Sequence, residues 1–132
     1  MRRQDWPSIL EAEIERARER PFSWGRHDCA LWTAGVVAAI TGVDYAADWR
    51  GKYASEFGAI KRLTASGYEG VEALATACLG DSISPLLAQR GDVAMFDNAL
   101  GICIGSACAF ITREEGLTFV PLGRCVKAWR VQ

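Results

Sequence analysis

The chain has 132 residues, half of them hydrophobic and 23% charged, a composition that fits one globular domain burying its own core without disulfides or a metal. Fifteen basic residues against sixteen acidic ones leave a net charge of -1, which argues against a protein that grips nucleic acid by charge. A single histidine rules out a His-rich metal site, and five cysteines without a CxxC pair lack the zinc-ribbon and dithiol patterns, so neither metal nor cofactor is expected.

The N-terminal "MRRQDWPSIL" has two arginines but no apolar stretch behind them, so no secretory signal is expected. The run "ALWTAGVVAAI" is too short to span a bilayer. These features, with cysteines set mostly in apolar contexts, predict synthesis in a reducing cytosol and thiols used as small core residues. Nothing points to a membrane or to nucleic acid as partner.

The first predicted helix is "DWPSILEAEIERARERPF", closed by Pro21. Asp5 or Ser8 can cap it, Ser8 forming a capping box with Glu11, and Pro7 suits the first turn. Leu10, Ile14 and Ala17 form its apolar stripe, while the alternating charges of "ERARER" predict a solvated face. The second helix, "DCALWTAGVVAAITG", is apolar on most faces and is expected to be central and buried, with Asp28 as N-cap and Gly42 as stop. A third helix over 53–67 places Phe57, Ile60, Leu63 and Thr64 on one side. "VEALATACLG" is a short fourth helix, and "PLLAQ" can add one turn.

Beyond "QRGD" the pattern changes to short β-rich runs: "VAMF", "LGICIG", "CAFIT", "LTFVPL" and "VKAWRV", separated by turn residues. The "RGD" at 90–92 is expected to be a turn entering a strand, with Asp92 bonding local N–H groups, rather than an adhesion signal. Helices first and a strand meander second predict an α+β fold over 1–132, N-terminal helices packed on a C-terminal antiparallel sheet.

The stretch "WGRHDCALW" (24–32) raises the question of function. A cysteine in the first turn of a buried helix is placed where N–H groups and the helix dipole favour a thiolate. The segment resembles the opening of the NlpC-type branch of papain-like cysteine peptidases, the cell-wall peptidases of bacteria and phages. "RGDVAMF" and "ALGICIG" are similar to that family's sheet-entering segment and to its histidine-bearing strand. The resemblance implies a papain-like fold with Cys29 at the nucleophile position, in a cleft lined by Trp24, His27, Asp28 and Ala99. It also implies that Ala99 stands where the family has its catalytic histidine, so that Ala99 or a close neighbour faces Cys29 from the strand around Leu100 to Ile104, and that the orienting residue falls near Ile111 or Thr112, with Ile111 the direct match.

As a whole the chain resembles a group of phage and prophage proteins that combine "WG..DC", "RG.Y", "RGDV", "LGI..G" and a terminal "AWRV". That likeness implies a tail-associated protein acting in assembly or binding, with phage tail proteins as partners and incorporation into a tail. The alternative is an active peptidase or amidase acting on peptidoglycan stem peptides.

His27 is the one candidate base, but side chains two apart do not share a helical face, and an exposed histidine ahead of the helix is expected. Without it, Cys29 could attack but the leaving amine would lack a positioned acid. "DWRGKY" (48–53) could line a groove and hold a carboxylate, although a loop packing Trp49 and Tyr53 at the core edge, with Asp48 and Arg50 satisfying backbone, is the expectation. Trp32 is expected in the core. Trp24, Trp49 and Trp129 could rim the cleft or form an interface, although packing alone is the expectation for at least two of them.

Overall fold

The computed structural model describes residues 1–132. Four helices come first: α1 (Trp6–Ala17), α2 (Cys29–Thr41), α3 (Glu56–Ala65) and α4 (Val71–Leu79). Five strands follow: β1 (Val93–Phe96), β2 (Ala99–Cys103), β3 (Ala107–Thr112), β4 (Gly116–Pro121) and β5 (Lys127–Trp129). They form one antiparallel sheet in the order β4-β3-β2-β1-β5. The α+β plan expected from the sequence is the one the chain adopts, and no helix is long and apolar enough to cross a membrane.

Helix α2 forms where its ends are specified. The Asp28 side chain accepts from the Leu31 N–H at 2.9 Å, and Gly42, at φ 86°, closes the last turn through its N–H to the Ala38 carbonyl. The helix buries Trp32, Val36, Val37 and Ile40 between α1, through Leu10, Ile14 and Ala17, and one face of the sheet.

Strand alternation sorts the sheet residues cleanly. Val93, Met95, Leu100, Ile102, Ala109 and Ile111 join the helix-side core. Ala94, Cys103, Cys108 and Phe110 point the other way, into a second small core with Cys125, Phe96 and Ala99. Cys103, Cys108 and Cys125 are thus buried core thiols, Cys29 and Cys78 are half-buried, and all five are free.

Gly101 sits on β2 where a Cβ would lie 2.3 Å from the Ala109 carbonyl oxygen and 2.5 Å from the Phe110 ring. Asp97 and Asn98, at φ 51° and 60°, make the two-residue turn that joins β1 to β2 and sets the register of the hairpin.

Several details differ from the expectations. α1 ends at Ala17 rather than near Pro21, because Arg18, Glu19 and Arg20 offer no apolar side chain to bury after the Leu10–Ile14–Ala17 stripe. Asp5 occupies its N-cap position without a side-chain bond, and no capping box forms. Its solvated face carries the Arg16–Glu13 and Arg18–Glu15 ion pairs.

α3 spans Glu56–Ala65, capped by Ser55, and buries no residue; Phe57 is 76% and Ile60 57% exposed. Its apolar side does not join the core, because the sheet face is already filled by α2. Trp129 is fully buried, with its indole N–H donating to Thr76 Oγ1 at 3.1 Å, so it rims nothing.

The "RGD" segment is a turn built on Gly91 at φ 92°. Buried Asp92 accepts from the N–H groups of Gln89 and Val131 and from the Arg2 guanidinium, joining both ends of the chain to the start of the sheet.

Candidate functional site: a cavity at the head of α2

Cys29 is the first residue of α2 and opens onto a cavity of about 430 Å³ enclosed by α2, α3, α4 and the 43–53 loop. Most of its lining is hydrophobic. Trp24, Asp28 and Cys29 line it, as do Leu100 and Asn98 at the start of β2. His27 and Ala99 do not. Ala99 is turned onto the opposite face of the sheet, against the Cys103–Cys108–Phe110 cluster, because neighbouring strand residues alternate sides. The residue of β2 that meets the thiol is therefore Leu100, whose backbone N–H is directed at the sulfur.

Asp28 is anchored from three sides and only 1% exposed. Its carboxylate accepts from the Gly25 N–H at 3.0 Å, the Leu31 N–H at 2.9 Å and the Tyr53 hydroxyl at 2.6 Å. Burial, and then the bond to this carboxylate, push the Tyr53 phenol far above its ordinary pKa, so it stays a donor.

Gly25, at φ 80°, lies so close to the Tyr53 carbonyl that a Cβ would fall 1.8 Å from its oxygen, and the Gly51 N–H donates to the Gly25 carbonyl at 2.9 Å. The "WG..DC" and "RG.Y" segments are thus one structural unit that fixes the entry into α2. Within it Arg50 forks onto the Asp44 carboxylate at 2.8 and 3.0 Å instead of satisfying backbone, while the Asp48 carbonyl accepts from Arg62.

The electrostatics around the thiol oppose ionisation. Burial is the largest influence and pushes the Cys29 pKa up. The Leu100 N–H pulls it down, the Asp28 charge raises it further, and the N–H groups of Ala30 and Cys29 itself give smaller relief. The helix N-terminus is present, but its help is outweighed.

His27 is not the exposed residue expected ahead of the helix: it is 2% exposed, held in a short backbone bridge with Ser23. The bridge turns its ring inward, and no hydrogen bond joins it to Cys29; its Nε2 has no partner. Burial lowers its pKa first, the Arg20 charge adds to this, and Asp28 opposes it.

A depressed histidine pKa gives a stability contribution present above the ordinary value of 6.5 and lost as pH falls toward the folded-state pKa. Unfolding by urea at pH 7.5 and pH 5.5 is therefore expected to show a larger acid loss in the wild type than in His27→Gln. Equal losses in both proteins would contradict the neutral, buried histidine.

Trp49 and Tyr53, which the sequence offered for a groove, line the cavity beside Trp24, whereas the remaining lining was not singled out. Cys29, Thr33 and Val37 repeat every four residues along α2 and all face the cavity. That spacing is legible, but only the position of α3 and α4 reveals that the face is left open. Thr33 is 3% exposed and its hydroxyl has no hydrogen-bond partner. No group of three or more His, Cys, Asp or Glu side chains is placed to hold a metal ion. The arrangement can enclose an apolar body beside a protonated thiol.

The model of a family described as "Domain of unknown function (DUF6950)" matches residues 1–131. No curated protein matches the chain.

Proposed function

The chain belongs to the DUF6950 family, and we propose that it is a binding module on an NlpC-like, papain-like scaffold, associated with phage or prophage tails, without efficient peptidase activity. The order of parts supports the scaffold: a cysteine opens the central helix, an antiparallel sheet follows, and the second strand faces the thiol. The tail association rests on the resemblance carried by the segments around Trp24, Arg50, Arg90, Leu100 and Ala128.

The observation that carries the loss of peptidase chemistry is the vacancy of the base role. A working thiol peptidase keeps its thiolate through an imidazolium partner. Here the only imidazole is buried, held neutral and not bonded to the sulfur. Neither is there a positioned acid for a leaving amine, since the Asp28 carboxylate already accepts three hydrogen bonds that hold the loop.

Purified peptidoglycan incubated with wild type and with Cys29→Ala should release no muropeptides above the enzyme-free blank in either case. Release by the wild type that disappears in Cys29→Ala would establish the stem-peptide hydrolase instead.

A further inference from the structure

Three of the five free thiols, Cys103, Cys108 and Cys125, gather on the face of the sheet turned away from the helices, in the small cluster with Ala94 and Phe110. None of them lines the Cys29 cavity. Buried cysteines of this kind are ordinarily small core residues. The register of β2 against β3 sets two of them apart.

Cys103 and Cys108 are directly opposite partners across the antiparallel β2–β3 pair, with both side chains on the same face. The Cys103 N–H donates to the Asp92 carbonyl at 2.8 Å, and its carbonyl accepts from the Gly91 N–H at 2.8 Å, so both bonds run away from β3. One step along, the Ile104 N–H donates to the Ala107 carbonyl at 2.9 Å. Cys103 and Cys108 therefore form a non-hydrogen-bonded pair, the kind whose Cα atoms approach to about 4.5 Å. A disulfide spans Cα separations of about 4.4–6.8 Å, so this pair can close with the backbone where it stands, at the short and strained end of the range.

The surroundings divide the roles of the two sulfurs. The neighbouring Cys108 thiol lowers the Cys103 pKa against the effect of burial, whereas the Cys103 sulfur, and then burial, raise that of Cys108. Cys103 is thus the nucleophile and Cys108 keeps its proton. The 122–126 segment covers the cluster, with Leu122 and Cys125 packed on it. Backbone bonds near its two ends hold it down, from the Leu122 N–H to the Ser106 carbonyl and from the Val126 N–H to the Met95 carbonyl, each 2.9 Å. While it is seated, Cys103 is 1% and Cys108 0% exposed, so a reagent reaches them only when this short cover lifts by local opening.

We propose that Cys103 and Cys108 are a reversible redox pair, closed to a cross-strand disulfide by a small hydroperoxide when the 122–126 segment lifts. The Cys103 thiolate attacks one peroxide oxygen and the O–O bond breaks, leaving a sulfenic acid on Cys103 and a hydroxide that takes up the proton Cys103 had lost. The Cys108 sulfur then attacks the Cys103 sulfur. The S–S bond forms, the S–O bond breaks, and the departing hydroxide leaves with the Cys108 proton as water. Two electrons pass from the two thiols to hydrogen peroxide, which ends as two waters. A bond closed under strain is of the readily reduced kind.

The test treats the intact chain with hydrogen peroxide, alkylates the remaining thiols with iodoacetamide in urea and maps the tryptic peptides. The peptide 91–113 holds both Cys103 and Cys108, and Cys125 falls in another. The 91–113 peptide should lose two hydrogens and take up no alkyl group until reduced, while Cys125 is alkylated. Cys103→Ser and Cys108→Ser should each abolish the change, and Cys125→Ser should leave it intact. Leu122→Ala, which thins the cover, should speed closure severalfold with the fold retained. Dithiothreitol should restore both thiols in the folded protein.

Two free thiols after prolonged peroxide, a link to Cys125 in place of the Cys103–Cys108 bond, or sulfinic acid instead of a disulfide would each overturn the proposal. So would closure no faster in Leu122→Ala, or a link that dithiothreitol opens only after unfolding. None of these readouts involves Cys29, so they stand apart from the muropeptide test.

Discussion

Asp28→Ala is expected to lose roughly 3–5 kcal/mol of folding stability, measured by urea unfolding with tryptophan fluorescence. The aspartate is 1% exposed and is the shared acceptor of Gly25 N–H, Leu31 N–H and the Tyr53 hydroxyl. Alanine leaves three donors inside the protein without a partner and removes the cap of the central helix, which alone costs about 1 kcal/mol. Relief from removing a buried charge offsets only part of this.

Tyr53→Phe removes one donor and leaves the carboxylate bonded twice, so its cost should be smaller, roughly 1–2 kcal/mol. Equal destabilisation by the two variants would show that Asp28 does not organise the loop. Removing the Asp28 charge should also lower the Cys29 pKa, because that charge raises it.

The second large effect is expected at Gly25. Gly25→Ala places a methyl 1.8 Å from the Tyr53 carbonyl oxygen, at a backbone φ of 80° that side chains disfavour. The contact is with backbone, so relief requires the 23–28 loop and the 51–53 segment to separate. The cost should be at least about 3 kcal/mol, with loss of the Tyr53–Asp28 bond.

Gly51→Ala provides the control. Its φ is 73°, but a Cβ there meets nothing within 4 Å. Only the left-handed strain of about 1–2 kcal/mol applies. Similar unfolding midpoints for the two variants would refute the close approach of the two segments.

The parts of the fold that the sequence specifies locally were legible. Helix α2 carries its own N-cap, its own C-terminal glycine and an apolar run between them. The strands carry alternation and turn residues, and the Asp97–Asn98 pair marks the hairpin. What depends on neighbours distant in sequence was not. The spacing of Phe57, Ile60 and Leu63 shows that one side of α3 is apolar, but not whether anything covers it, and Phe57 and Ile60 lie exposed. Trp129 is a large aromatic near the end of the chain, and only the meeting of β5 with α4 buries it.

At the site, motif likeness placed Cys29 at the head of its helix but misplaced Ala99. A likeness of segments does not track the face of the sheet, and one step along the strand replaces Ala99 by Leu100 at the thiol. His27 was expected to be exposed because polar residues ahead of helices usually are, yet the backbone bridge to Ser23 turns the segment inward. The unpartnered Thr33 hydroxyl could not be read from spacing, since it is set only once α3 and α4 enclose the face of α2.

Burial and the neighbouring Asp28 charge make Cys29 a protonated, unreactive thiol facing an apolar cavity. The most direct measurement is the rate of iodoacetamide labelling at Cys29 as a function of pH, resolved from the other four cysteines by peptide mass spectrometry. Burial and the Asp28 charge predict slow labelling at neutral pH and a rate still rising above the ordinary thiol pKa, unchanged in shape by His27→Gln. Fast labelling with a plateau near pH 6, abolished by His27→Gln, would reveal a thiolate–imidazolium pair and contradict the account.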